Sequence, residues 1–293
     1  LCQITPPDIG VELMVAPVHL EYLGSIENIA AAKAELIEGL KPNGIAVLNA
    51  DDRLVMGMRS KHSGRVITFG IDQAADISAA EIDTHHLGHI SFRLKTPRGD
   101  SLAVLPMSGR HNLMNALAAA AVGSCFDFSA AQIAESLRTT QPPHMRGEVL
   151  EFAEGFTVVD DSYNSNPRSL VNMIHTITDA RQNRKRLAVI AGEMLELGPD
   201  EAALHRQVGR DIAAAGIDFL WGVRGLASEI IKGANEAGLR TTRYFENSDE
   251  AASAIVTEVQ QGDLILVKGS RGVATDKIVT ALSSHFSLAG TNK

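Results

Sequence analysis

The clearest fold signal in this sequence is the run Phe156-Thr157-Val158-Val159-Asp160-Asp161-Ser162-Tyr163-Asn164-Ser165-Asn166-Pro167. Its first four residues are apolar or β-branched and predict a buried strand, and its proline predicts the first turn of a helix. Two carboxylates, a tyrosine and two asparagines therefore stand where a strand ends and a helix begins. Because ligands of open α/β sheets bind at that edge, the run predicts a binding site. A polar turn with an Asp or Asn helix cap is the competing interpretation.

The remainder of the second half repeats the same strand–helix rhythm. The predicted strands cover residues 149–152, 156–160, 187–191, 219–222, 241–245 and 264–268. The predicted helices cover residues 169–181, 201–215, 227–237, 249–260 and 275–284. This alternation predicts a Rossmann-like α/β domain whose mainly parallel sheet is covered by helices.

The first half alternates element types less regularly. Its predicted elements are helices at 26–40, 112–122 and 130–137, buried strands at 44–49 and 66–70, and antiparallel strands between 77 and 105. Pro142 and Pro143 exclude helix and keep the chain extended, so we expect a domain linker over residues 139–143. A length of 293 residues fits two domains, which we expect to be residues 1–141 and 142–293.

Composition and charge limit the classes of function. Hydrophobic residues make up 45% of the sequence, enough for sizeable cores, and the net charge of −8 argues against a nucleic-acid partner. Cys2 and Cys125 form neither a metal motif nor a disulfide framework, which is expected in a reducing cytoplasm. The longest apolar stretch, near residues 116–122, is too short and alanine-rich to span a bilayer. We expect a cytoplasmic protein without membrane insertion that acts as a monomer.

Four segments together resemble one enzyme family. The run that begins at Asp160 resembles the D-D-S-Y-N-A-N-P signature of the Mur ligases, in particular of the branch that adds D-alanyl-D-alanine. The other three segments resemble its G-x-H-N-x-x-N-x-x-A-A, L-G-D-M-x-E-L-G and V-K-G-S-R motifs, and they are residues 109–120, 191–198 and 266–271. The resemblance extends from about Pro7 to Val279. It implies an α/β fold: the remainder of a P-loop-type central ATPase domain, followed by a Rossmann-like C-terminal domain.

The resemblance implies an ATP site. It places Asn115 near the adenine, supported by His111 and Asn112, and an amide side chain offers the donor and acceptor that an adenine edge requires. It also implies that Asp161 accepts hydrogen bonds from the ribose and that Arg146 reaches the phosphates, for which a guanidinium is well shaped.

Two weaker matches imply magnesium ligands. Residues 17–25 resemble N-I-G-x-A-H-L-E-x-F-G-S, which implies His19 as a ligand, although Met14-Val15-Ala16 replaces Asn-Ile-Gly. Residues 29–36 resemble A-x-A-K-G-E, which implies that Lys33 is carbamylated and also binds magnesium. Lysine reacts with carbon dioxide only as the neutral amine, so its site must disfavour the ammonium form. An ordinary exposed helix lysine is the alternative interpretation of Lys33.

A further set of residues is implied for the incoming dipeptide or the acyl intermediate. These predicted substrate-binding residues are Tyr163, Asn164, Asn166, Glu193, Lys268, Ser270 and Arg271. Glu193 replaces the aspartate of the family motif, a change of one methylene. Lys33, His19 and Arg146 are the predicted catalytic residues, and we expect His205 to be a partly buried helix histidine.

The resemblance implies an ATP- and Mg²⁺-dependent ligase of peptidoglycan precursor synthesis. It would join D-alanyl-D-alanine to UDP-N-acetylmuramoyl-tripeptide through an acyl phosphate. The sequence begins at Leu1 and contains no Gly-x-x-x-x-Gly-Lys-[Ser/Thr] loop, so we expect the C-terminal part of a longer protein, inactive alone. Another Mur or folylpolyglutamate-type ligase, or a non-catalytic truncated binding module, remains an alternative. A dinucleotide-dependent oxidoreductase lacks support because no Gly-x-Gly-x-x-Gly follows a strand.

Overall fold

The computed structural model of the chain describes residues 2–16, 23–181 and 185–289. The described residues contain two six-stranded sheets, each in its own unit. The first unit comprises Leu1–Thr84 and His89–Gln141, and the second comprises His85–Gly88 and Pro142–Lys293. Residues 139–143, around the boundary between Gln141 and Pro142, form neither helix nor strand.

The sheet of the first unit follows the chain order. Its strands are β1 (Ile9–Glu12), β2 (Ile45–Asn49), β3 (Arg65–Gly70), β4 (Ile77–Asp83), β5 (Ile90–Thr96) and β6 (Gly99–Leu105). Strands β1 to β4 run parallel, and β5 and β6 add antiparallel pairs, as the alternating sequence between 77 and 105 predicts. Its helices are α1 (Ile26–Glu38), α2 (Arg53–Gly57), α3 (Arg110–Cys125) and α4 (Ala130–Arg138).

The sheet of the second unit is not in chain order. Its strands are β7 (Glu148–Glu151), β8 (Thr157–Asp161), β9 (Arg186–Gly192), β10 (Phe219–Val223), β11 (Thr242–Phe245) and β12 (Asp263–Lys268). They are arranged β11-β10-β9-β12-β8-β7, and every neighbouring pair is parallel except β7 with β8. The predicted mainly parallel sheet is therefore confirmed.

Five helices cover this sheet within the described residues. They are α5 (Pro167–Asp179), α6 (Glu201–Ala214), α7 (Ala227–Glu236), α8 (Ser248–Glu258) and α9 (Asp276–His285). Consecutive strand residues face opposite sides, since Val158 and Ile265 pack in one core cluster while Val159 and Leu266 pack in another. Burial of both faces explains why these strands are continuous apolar runs in the sequence.

Two glycines let α6 and α7 pack closely. A Cβ at Gly209 would overlap the carbonyl oxygen of Ile230, and a Cβ at Gly233 would overlap the carbonyl oxygen of Arg206. Because the obstructing atoms are backbone, no side-chain rotation could make room for a larger residue.

Within residues 2–16, 23–181 and 185–289, the helices lack the combination of length and apolarity that a bilayer crossing requires.

Candidate functional site

The candidate site in the second unit lies where β8 and β12 end. The register of these parallel neighbours places Lys268 beside Asp161. The Lys268 Nζ donates to Asp161 Oδ2 at 2.6 Å and to the carbonyl oxygen of Asn164 at 2.8 Å. The Lys268 side chain is 4% exposed and that of Asp161 is 15% exposed, so this ion pair forms the buried floor of the site.

The turn after β8 is fixed by the other aspartate. Asp160 is buried, and its Oδ1 accepts hydrogen bonds from the backbone N of Ser162 at 3.0 Å and from its Oγ at 2.5 Å. Burial raises the pKa of the Asp160 carboxyl, and the two hydrogen bonds from Ser162 partly oppose this. Asp160 therefore shapes the turn, while Asp161 stands at its edge.

Asn166 is occupied as a helix cap. Its Oδ1 accepts from the backbone N of Ser169 at 2.9 Å, and its own N donates to Ser169 Oγ at 3.1 Å, a reciprocal capping box at the start of α5. Pro167 follows at the first helical position. The capping interpretation thus accounts for Asn166, whereas Tyr163 and Asn164 are exposed on the turn.

Two arginines lie at the same edge as the turn. The guanidinium carbon of Arg146 lies 4.0 Å from the centroid of the Tyr163 ring, and the backbone N of Tyr163 donates to the carbonyl oxygen of Met145. The Nη1 of Arg271 lies 3.7 Å from Met145 Sδ and 3.3 Å from Asp276 Oδ2. Arg146 and Arg271 are both exposed, so positive charge faces solvent beside Tyr163.

Glu193 and Ser270 are bound to neighbouring loops. Glu193 Oε1 accepts from the backbone N of Leu226 at 2.9 Å, just before α7, and Glu193 Oε2 lies 3.8 Å from Arg224 Nε. Ser270 Oγ accepts from the backbone N of Leu195 at 2.9 Å. In this geometry both side chains connect the loops that follow β9, β10 and β12.

His205 is completely buried, which is more than the sequence indicates. Its Nε2 accepts from the backbone N of Met194 at 2.9 Å, and its Nδ1 lies 2.6 Å from the carbonyl oxygen of Glu201. A carbonyl only accepts and a backbone N–H only donates, so the ring is neutral with its proton on Nδ1. His205 therefore ties α6 to the loop that carries Glu193.

In the first unit, the three predicted adenine-site residues lie on the first turns of α3. His111 and Asn115 are exposed and one helical turn apart, so they share a face. Asn112 is half-buried, and its Nδ2 donates to the carbonyl oxygen of Ser108 at 2.8 Å. The structure thus brings His111 and Asn115 together and gives Asn112 a local supporting contact.

Lys33 is paired with a carboxylate on β1. Lys33 Nζ lies 3.2 Å from Oε2 of Glu12, a residue that is 5% exposed at the end of β1. Burial raises the pKa of the Glu12 carboxyl, and the charge of Lys33 partly offsets this. The carbamylation of Lys33 stays a prediction. His19 lies outside the described residues.

Glu12 was not predicted from the sequence, and neither were the anchors of the segment beside it. The signal for Glu12 is a charged residue that ends an otherwise apolar strand. Asn49 Nδ2 donates to the carbonyl oxygen of Leu13, and Asp52 Oδ2 accepts from the backbone N of Val15, both at 2.8 Å. Asn49 at the end of β2 and Asp52 just after it therefore fix the chain between Leu13 and Val15.

Comparison with known families accounts for most of the chain. The family described as Mur ligase middle domain matches residues 1–123, and the family described as Mur ligase, glutamate ligase domain, matches residues 145–271.

The relatives of known name are similar over nearly the whole chain. The UDP-N-acetylmuramoyl-tripeptide--D-alanyl-D-alanine ligase of Escherichia coli is 33% identical over 96% of this chain and 61% of its own length. The protein of the same name from Bacillus subtilis is 31% identical over 96% of this chain and 60% of its own length. A crystal structure of MurF from Acinetobacter baumannii has a TM-score of 0.84 and 28% identity, and the match covers 97% of this chain and 61% of that one.

The chain thus spans about three-fifths of the length of these relatives. The two matched segments follow each other along the chain. The chain belongs to the Mur ligase family.

Proposed function

We propose that this chain carries the ATP-binding and amine-receiving parts of a ligase that joins D-alanyl-D-alanine to UDP-N-acetylmuramoyl-tripeptide. The ion pair of Lys268 and Asp161 below the exposed Tyr163–Asn164 turn is the observation that carries this proposal. In this ion pair only one oxygen of the Asp161 carboxylate has a hydrogen-bond partner among the described residues, and the turn beside it is held by Lys268. Two exposed arginines, Arg146 and Arg271, lie at the same sheet edge. Relatives that bear this enzyme's name are similar over 96% of the chain.

The proposed roles of the two domains follow from the residues that each presents. In residues 1–141, His111 and Asn115 are proposed to contact the adenine of ATP, with Asn112 in support. In residues 142–293, Asp161 is proposed to accept from the ribose hydroxyls, because its Oδ1 has no hydrogen-bond partner among the described residues.

The positive side chains suit the charge that develops during the reaction. In the proposed reaction, the tripeptide carboxylate attacks the γ-phosphate of ATP, which forms an acyl phosphate and releases ADP. The amine of D-alanyl-D-alanine then attacks the acyl carbon, loses a proton, and displaces phosphate. Arg146 is proposed to contact phosphate oxygens, and Arg271 a carboxylate of the substrates, because a guanidinium binds either anion with paired donors.

Magnesium is proposed as the counter-ion of the nucleotide phosphates, as phosphoryl transfer generally requires. Lys33 in its carbamylated form stays a proposed ligand, and its Nζ lies beside the carboxylate of Glu12.

The test is phosphate release by the product of the complete reading frame that encodes this chain. Reactions contain ATP, magnesium and UDP-muramoyl tripeptide, with or without D-alanyl-D-alanine. We expect release that depends on the dipeptide, a strong loss in Asp161→Asn, and no loss in Asp249→Asn, which removes a carboxylate from an exposed ion pair in the same unit.

Each alternative gives a different result. Release that depends on another amine from an acceptor panel would replace this function by that of another ligase of the superfamily. ATP binding without release for any amine would indicate a binding module. If Asp161→Asn were as active as the unchanged protein, the proposed role of Asp161 would be wrong, although the proposed reaction would stand.

A further inference from the structure

The position of Lys268 is set by strand order rather than by sequence proximity. β12 lies between β9 and β8, and its last residue is in register with the last residue of β8. Side chains of residues in register on parallel strands lie on the same face of a sheet. The fold thereby places an ammonium and a carboxylate, 107 residues apart in the chain, within 2.6 Å of each other.

Lys268 is committed to partners inside the protein. Only 4% of its side chain is exposed, whereas the other predicted cations of this edge, Arg146 and Arg271, are exposed. Two of its three N–H donors are used by Asp161 Oδ2 and by the carbonyl oxygen of Asn164. A side chain in this state is poorly placed to meet a substrate that arrives from solvent.

The two bonds of Lys268 act on the two halves of the site. One fixes Oδ2 of Asp161, and Oδ1 is left without a hydrogen-bond partner among the described residues. The other fixes the backbone of the turn at Asn164, next to the exposed Tyr163. The carboxylate is thus held in one orientation with one oxygen available to accept a hydroxyl proton.

We infer that Lys268 is a positioning residue: it orients Asp161 towards the ribose hydroxyls of the nucleotide, and it does not itself contact a substrate. This inference rests on the proposed function, in which Asp161 receives the ribose. It replaces the substrate-binding role of Lys268 that the sequence motif predicts.

The experiment compares ATP with 2′,3′-dideoxy-ATP, which lacks both ribose hydroxyls. Dissociation constants are measured by titration calorimetry for the complete protein and for Lys268→Met, which keeps the side-chain length but has no donor. Lys277→Met is the matched control, because Lys277 forms an ion pair with Asp249 at 2.8 Å on the exposed surface of the same unit.

We expect the unchanged protein and Lys277→Met to bind ATP about tenfold more tightly than the dideoxy nucleotide, the usual effect of a hydrogen bond to a charged group. In Lys268→Met that preference disappears, because ATP binds more weakly while the dideoxy nucleotide binds as before. Equal weakening of both nucleotides would overturn the inference, and so would unchanged ATP binding with a raised KM for D-alanyl-D-alanine. An unchanged protein that does not distinguish the two nucleotides would instead refute the ribose role of Asp161.

If Lys268→Met does not fold because the Asp161 carboxylate has lost its counter-ion, a double substitution is used instead. Asp161→Asn combined with Lys268→Met removes both charges of this ion pair. We expect it to match Asp161→Asn alone in its affinities for both nucleotides, because Lys268 acts only through Asp161 on this contact. A further loss of ATP affinity in the double variant would show a direct contact and overturn the inference.

Discussion

Arg146 lies over the ring of Tyr163, with 4.0 Å between the guanidinium carbon and the ring centroid. A cation over an aromatic face is stabilised by about 0.5–1 kcal/mol at an exposed site. Tyr163 thus limits the orientations of an arginine that would otherwise move freely in solvent. The turn at Tyr163 and the proposed phosphate-binding arginine are therefore physically connected.

This contact predicts a graded effect of substitutions at Tyr163. We expect Tyr163→Leu to raise the KM for ATP about two- to fivefold, since the loss of the stacked ring frees Arg146. Tyr163→Phe keeps the ring and should keep the KM for ATP. Steady-state kinetics at saturating dipeptide measures both, and equal KM values in the two variants would contradict the connection.

The close packing of α6 and α7 predicts a sharp loss of stability on adding a methyl group. Gly233→Ala would place its Cβ on the carbonyl oxygen of Arg206, which is backbone and cannot rotate away. We expect the free energy of unfolding to fall by about 3 kcal/mol, as for severe overpacking. The sequence contains one tryptophan, Trp221 on β10, so its fluorescence in urea reports the unfolding of this unit.

Ser253→Ala is the matched control for that measurement. Ser253 is an exposed residue on α8, and its replacement by the best helix former should leave the transition unchanged or raise it slightly. If Ser253→Ala lowered the free energy of unfolding as much as Gly233→Ala does, the loss could not be assigned to the packing of α6 against α7.

The double hydrogen bonding of His205 predicts a local loosening when its ring is removed. His205→Leu leaves the buried N–H of Met194 without its acceptor, which costs about 2 kcal/mol. We expect hydrogen exchange at Met194 and Leu195 to be faster in His205→Leu than in the unchanged protein, whereas exchange in α8 stays the same. Unchanged exchange at these two amides would mean that the loop is held by Ser270 alone.

Burial of Asp160 predicts a specific pH dependence of stability. Its folded-state pKa is raised above the ordinary value of 3.8, so between these values the folded state binds more protons than the unfolded state. This group's contribution to stability therefore falls as pH rises from 3.8 through the raised value and then stays constant. We expect Asp160→Asn, measured by urea unfolding across this range, to lack that decline. An identical decline in the variant would assign it to another group.

Local sequence patterns predict the elements well and their arrangement in the second sheet less completely. Apolar runs and helix periods predicted the strands and helices of the second unit, because both sheet faces are buried and each run is uniform. The insertion of β12 between β9 and β8 depends on contacts across about a hundred residues, which no local pattern encodes. The pairing of Lys268 with Asp161 could not be predicted for the same reason.

Two features of the first unit show what short patterns miss. Helix α2 is only five residues long, too short for a helical period, although Asp52 caps it by accepting from Leu54 and Val55. Glu12 ends a four-residue strand, and its partner Lys33 becomes visible only when α1 is packed beside β1. The capping residue was a usable signal in the sequence, whereas the ion pair was not.

The late position of β12 in the chain sets the order in which the binding edge is assembled. During synthesis, β8 leaves the ribosome about a hundred residues before β12, the strand that separates it from β9, and β9 leaves the ribosome before β12 as well. Until then each has an unpaired edge that another nascent chain could join, and Asp161 has no counter-ion. A translation arrest between Gly192 and Asp263 would thus release a polypeptide that is prone to aggregate through these edges.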